Sequence, residues 1–149
     1  MTISVDVAVD GVRSPLSRAR VGDLARRVLR AEGVRDALLS VALVSNRRMA
    51  ELNRAHLRRP GPTDVIAFGL TRVGTRGPVV GDIYLAPDVA RASARENGVP
   101  VREELARLVV HGTLHVLGYD HPDDDSRTRS TMWRRQERLV ARLLGAGRR

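Results

Sequence analysis

Apolar residues alternate with small or polar ones from Ile3 to Val9, and the alternation stops at Asp10-Gly11, the pattern of a strand followed by a turn. From Leu16 to Glu32 the period changes. Val21, Leu24, Ala25, Val28 and Leu29 recur at three and four, which predicts an amphipathic helix stopped by Gly33. Ala37 to Val44 is a short continuous apolar run, read as a buried strand. Ser45 or Asn46 can cap a second helix through about Leu57, with Met49, Leu52 and His56 along one side, and Pro60-Gly61-Pro62 ends it. Thr63 to Phe68 and Val79 to Leu85 read as two strands, neighbours in one sheet, joined by a Gly- and Arg-containing loop from Leu70 to Pro78. Pro87 suits the first turn of a helix ending at Gly98. Pro100 opens another running to Leu117, and Asp123 to Ser126 can cap a last helix through Leu144.

This order predicts an α+β domain: a mixed four-stranded sheet covered by about five helices, with the first strand-helix-strand unit a right-handed parallel crossover. The penultimate helix is expected to bury Leu105, Leu108 and Val109 while it presents its histidines to a cleft. The chain of 149 residues suits a single domain spanning 1–149, large enough to bury roughly 68 to 70% of its unfolded surface.

Composition narrows the chemistry. The chain has no cysteine, so disulfides, thiolate nucleophiles and Cys-based zinc sites are excluded, and imidazole and carboxylate are the strong metal ligands that remain. No apolar stretch approaches the ~20 residues of a membrane span, and no basic segment followed by an apolar run opens the chain, so a cytoplasmic protein without a membrane anchor is expected. The formal charge of +9, from 26 basic and 17 acidic residues, favours approach to a polyanion such as RNA, against the alternative of a merely solvated basic surface. Aromatics are only 3%, so contacts to backbone and shape must outweigh base stacking.

Three of the four histidines fall within His111-Gly112-Thr113-Leu114-His115-Val116-Leu117-Gly118-Tyr119-Asp120-His121. On a helix, residues four apart share a face, so His111 and His115 can converge on one ion. Gly118 permits the left-handed conformation of a helix end, and the reversal can return His121 to the same point. Three imidazoles hold zinc with one coordination position left open, the arrangement of catalytic zinc, where bound water has a pKa of about 7. Ordinary polar residues at a helix end, favoured by the dipole, would explain one or two of these histidines but not the glycine between them. Asp120, Asp123, Asp124 and Asp125 are available either to orient imidazoles or to cap the next helix. The spacing equals the metal-binding frame of metzincin proteases, whose glutamate after the first histidine is Gly112 here. Without that base, peptide hydrolysis is disfavoured, and a phosphodiester is the better substrate for a metal assisted by arginine.

The stretch V-V-H-G-T-L-H-V-L-G-Y-D-H from Val109 to His121 resembles the metal motif of the YbeY family of bacterial endoribonucleases and ribosomal RNA maturation factors, which also carries glycine at position 112. Leu52-Asn53 with Pro62-Thr63-Asp64-Val65-Ile66-Ala67-Phe68, and Gly81-Asp82-Ile83, resemble further segments of it. The resemblance implies a zincin-like fold. It also implies metal-dependent cleavage of single-stranded RNA in small-subunit ribosomal RNA processing and ribosome quality control, with ribosomal proteins and an Era-type GTPase as partners.

The chain departs from that pattern in places. The family's functional arginine falls at Leu57, followed directly by Arg58 and Arg59, either of which is a candidate to neutralise the phosphate or is simply a solvated charge at a helix end. The family's serine is Ala67 and the proline after its phenylalanine is Gly69. His56 stands where the family has tyrosine, and is read as a partly buried packing residue in preference to a fourth ligand. The reading is therefore a zinc endoribonuclease with His111, His115 and His121 as ligands and Arg59 or Arg58 at the phosphate. Two alternatives are a non-catalytic ribosome-assembly module with a structural metal, and a metalloprotease.

Overall fold

The computed structural model describes residues 2–57, 63–70, 77–121, 126 and 130–145. Four strands, β1 (Ile3–Asp10), β2 (Ala37–Val44), β3 (Val65–Gly69) and β4 (Val79–Leu85), form one sheet in the order β1-β2-β4-β3. β1 and β4 both lie parallel to β2, while β3 runs antiparallel to β4. The helices are α1 (Arg18–Ala31), α2 (Asn46–Leu52), α3 (Pro87–Asn97), α4 (Val101–Val116) and α5 (Thr131–Gly145). The expected α+β class and mixed sheet are thus present, and α4 is the expected penultimate helix.

Period-two alternation decides which sheet face is covered. Leu39, Val41 and Ile83 are buried with Val21, Leu24, Ala25 and Leu29 of α1 and Leu105, Leu108 and Val109 of α4 in the main core. The opposite face carries exposed Leu38, Ser40 and Asp82, with a hydrogen bond from Ser40 Oγ to Asp82 (3.0 Å). One end of that face is covered, where Met49 and Leu52 of α2 meet Ile66, with Phe68 and Tyr84 packed against them. A second cluster joins Val28 of α1, Val110 and Leu114 of α4, and Met132, Leu139 and Val140 of α5. α4 is therefore held on both sides. Burial of each such Val, Leu or Met contributes about 1.5–3 kcal/mol.

Of the two residues offered as the cap of α2, Ser45 serves, accepting from Arg48 N (3.2 Å), and the helix read through about Leu57 ends at Leu52, beyond which the backbone widens into a π-helical turn over Asn53–Leu57. Helix α5 starts at Thr131, capped by Ser130, whose Oγ accepts from Trp133 N (3.1 Å). The caps proposed at Asp123 to Asp125 lie outside the described residues.

The end of α4 sits against the sheet because two glycines face it. Gly69 of β3 and Gly81 of β4 are register partners. A Cβ on Gly69 would lie 2.6 Å from the Val116 carbonyl oxygen, and one on Gly81 would lie 2.5 Å from Val116 Cγ1. Any side chain in that notch would lift the last turn of the helix.

Candidate metal centre

Helix α4 presents His111 and His115 one turn apart, both half-buried. It then ends in a paired reversal: Gly118 N–H donates to the His115 carbonyl (2.9 Å) and Tyr119 N–H to the Leu114 carbonyl (3.1 Å). This is a Schellman arrangement, with Gly118 at φ +100 in the position that glycine tolerates best. Tyr119 and Leu114 join the same apolar cluster, which supplies the hydrophobic contact that usually accompanies this motif.

The reversal returns His121 to the histidine pair. Ring centroids are 4.6 Å apart for His111 and His115, and 5.1 Å from His121 to each of them. Each ring contributes one nitrogen to a group lying within 4.8 Å of one another, so the three could hold a metal ion. Their donor chemistry fits. Nδ1 of His111 is 2.6 Å from Oε1 of Gln136, and Nδ1 of His115 is 3.0 Å from the Tyr119 carbonyl. A carbonyl oxygen accepts only, so Nδ1 carries the proton in both rings and Nε2 keeps the lone pair a metal needs.

Carboxylates were the sequence candidates for orienting these rings. In both cases the acceptor is instead a carbonyl. Asp120 is exposed, and its Oδ1 accepts from the backbone N–H of His121 (2.8 Å), while Asp123, Asp124 and Asp125 lie outside the described residues. Gln136 was missed in the sequence, although its signal is legible there: one amide in the apolar stripe Met132, Gln136, Leu139, Val140 of an amphipathic helix. Its Nε2 donates to Glu137 (3.0 Å), and Glu137 is gripped by Arg107 through Nε (2.9 Å) and Nη2 (3.1 Å). Burial alone would lower the Arg107 pKa. The hydrogen bond to Glu137 and the charges of Glu137, Glu104 and Glu103 outweigh burial and raise it.

A cleft of about 1010 Å³ opens at the histidines, lined also by Asn53, Thr63, Ser93, Asn97, Trp133 and Glu137. Asn53, on the π-helical turn, is 3% exposed, and such turns recur at functional sites. His56 is more exposed than the sequence reading held. It stands edge-on to Phe68 at 5.2 Å and is not part of the histidine group. Arg58 and Arg59, the candidates for the phosphate, lie outside the described residues.

Gly112 explains why the protease glutamate is not here. Its position on α4 faces the sheet, and a Cβ there would lie 2.8 Å from Ile83 Cγ2 and 3.3 Å from Val65 Cγ2. A side chain at 112 would be aimed at Ile83 and Val65, where there is no room for a glutamate.

Comparison with known proteins agrees with this architecture. The family model described as endoribonuclease YbeY matches residues 11–144. A protein named endoribonuclease YbeY from Thermobifida fusca is 36% identical over 148 residues, covering 93% of each chain. One of the same name from Bacillus licheniformis is 34% identical over 153 residues, covering 95% of this chain and 96% of its own. A Thermotoga maritima protein of known solution structure is 29% identical, superposes with a TM-score of 0.66, and is matched over 97% of this chain and 92% of that one. The motif from Val109 to His121, the sheet order and the match over most of the chain's length converge: this chain belongs to the endoribonuclease YbeY family.

Proposed function

We propose that the protein is a metal-dependent endoribonuclease that cleaves single-stranded RNA during small-subunit ribosomal RNA maturation and ribosome quality control. The observation that carries this reading is the convergence of His111, His115 and His121, two of them with Nδ1 committed to carbonyl oxygens. Zinc suits three neutral imidazoles and an open fourth position. When bound, the ion supplies polarisation of a phosphoryl oxygen and acidification of water. The residues of the chain do the rest. His111, His115 and His121 would hold the ion, the first two through Nε2, and the cleft lined by Trp133, Ser93 and Asn97 takes the strand. Arg59 or Arg58 neutralises the phosphate, a role for which the excess of positive charge on the chain prepares the approach.

A protein without a membrane-crossing helix among its described residues and with a net charge of +9 suits work on ribosomal RNA in the cytoplasm, as one domain over 1–149. Ribosomal proteins of the small subunit and an Era-type GTPase are the partners proposed. Peptide hydrolysis is the weaker reading, because position 112 points at Ile83 and offers no place for a base.

The test is cleavage of a single-stranded RNA by the purified protein with and without a chelator. Activity lost on chelation, regained with zinc and absent in His115→Ala supports the enzyme. RNA binding without cleavage under every metal condition points to the assembly module, and casein turnover without RNA cleavage to the protease. Analysis of product ends identifies the nucleophile, since a 2',3'-cyclic phosphate requires the ribose hydroxyl.

A further inference from the structure

Gln136 is a polar side chain where packing alone would place an apolar one. It is 2% exposed between Met132, Leu139 and Val140 of α5, all buried. Buried amides persist where their hydrogen bonds are made, and both ends of this one are used. Nε2 donates to Glu137 Oε2 (3.0 Å), and Oε1 is 2.6 Å from His111 Nδ1. Glu137 in turn accepts from both Nε and Nη2 of Arg107, which stands one turn before His111 on α4. The four residues form a closed bridge between the two helices.

We infer that Arg107, Glu137 and Gln136 act as a tautomer lock on His111, an inference that rests on reading the three histidines as ligands. A carboxylate only accepts, so Glu137 draws the NH2 end of the amide toward itself and leaves the carbonyl end facing the ring. The ring must then carry its proton on Nδ1 and hold its lone pair on Nε2. Were the amide turned over, its NH2 would face Nδ1, the proton would move to Nε2, and the ligand lone pair would be lost. A charge that never touches the ring therefore selects which ring nitrogen is available. Gln136 and Glu137 are positioning residues. His115 supplies an internal comparison, because its acceptor is the backbone carbonyl of Tyr119, which cannot turn over.

Two readouts on the full chain test this. Long-range 1H–15N spectra of the metal-free protein report each imidazole's tautomer, and competition with a chromophoric chelator reports affinity for zinc alone. Glu137→Ala is expected to move His111 toward the Nε2–H form, leave His115 as Nδ1–H, and weaken zinc binding about 10- to 100-fold, the usual effect of removing an outer hydrogen bond. Glu137→Gln, whose carbonyl can still accept from Gln136, is expected to restore most of that affinity. Gln136→Met keeps the apolar stripe and is expected to weaken zinc binding to a similar degree without loss of folding stability, whereas a merely structural glutamine would show the reverse. An unchanged His111 tautomer and unchanged zinc affinity in folded Glu137→Ala and Gln136→Met overturn the lock. If the unaltered protein and His115→Ala bind zinc equally weakly, the metal reading fails instead, and the tautomer spectra still decide the lock.

Discussion

The carbonyl oxygen of Tyr119 lies 3.0 Å from Nδ1 of His115, four residues earlier, and Gly118 is the hinge that puts it there. One turn thus ends a helix, orients one candidate ligand and delivers another, His121. Gly118→Ala meets no steric obstacle among the described residues, since none beyond its chain neighbours has a heavy atom within 4 Å of the Cβ position, but it strains a backbone at φ +100. The expected cost is about 1–2 kcal/mol, read from the denaturant midpoint, together with weaker zinc binding. Gly118→Asn, which tolerates this conformation, should lose less of both.

Gly112 is held by contact instead of conformation. Gly112→Ala is expected to cost about 1–3 kcal/mol through overpacking against Ile83 and Val65. Combined with Ile83→Ala the two costs should be less than additive, which a double-mutant cycle measures. Gly112→Glu should destabilise further and yield no casein hydrolysis.

Zinc binding should stabilise the fold. At a free concentration 100 times Kd the gain is about 2.7 kcal/mol, visible as a rise in Tm that chelator reverses. His115→Ala and His121→Ala should abolish that rise with little change in the Tm of the metal-free protein, because both rings are only half-buried.

Glu32 ties three elements. Arg135 of α5 donates to it through Nη2 (3.0 Å) and Nε (3.2 Å), and a hydrogen bond to Glu32 is the main cause of the raised pKa of Tyr119. Glu32→Ala leaves both partners short, and is expected to cost about 1–3 kcal/mol. Arg135→Ala in the same background should add little, since the two act through one contact.

Replacing Arg58 or Arg59 tests whether binding and chemistry separate. If either neutralises the phosphate, its replacement by alanine should cut RNA cleavage by roughly 100-fold or more while zinc affinity stays unchanged. Equal losses from both would indicate shared, unspecific attraction.

Much of this site could be read in advance because its parts lie close in sequence. Helical spacing joins His111 to His115, and Gly118 announces the reversal, so the triangle needs no long-range information. Gln136 comes from another helix, and nothing local says which ring it meets; only its misfit in the stripe of α5 marks it. The π-helical turn at Asn53–Leu57 escaped because apolar periodicity does not separate α from π hydrogen bonding over one turn. The start of α5 was placed too early because four consecutive polar residues, Asp123 to Ser126, all have N-cap chemistry, and the residue that caps is Ser130. Asp120 was offered as a ring partner from proximity alone, and its carboxylate serves the backbone of its neighbour instead.

The facing pair Gly69 and Gly81 has a consequence for the whole centre. The depth at which α4 ends is decided by two absent methyl groups, so the cradle for the ion is levelled from beneath, by strands that contribute no ligand. Adding one carbon at either point would tilt His115 and the His121 reversal together while every imidazole stayed in place along the chain. If the three imidazoles hold a metal, selection on that chemistry can act at residues on the sheet side of the helix, where an inspection confined to the histidines would find nothing to protect.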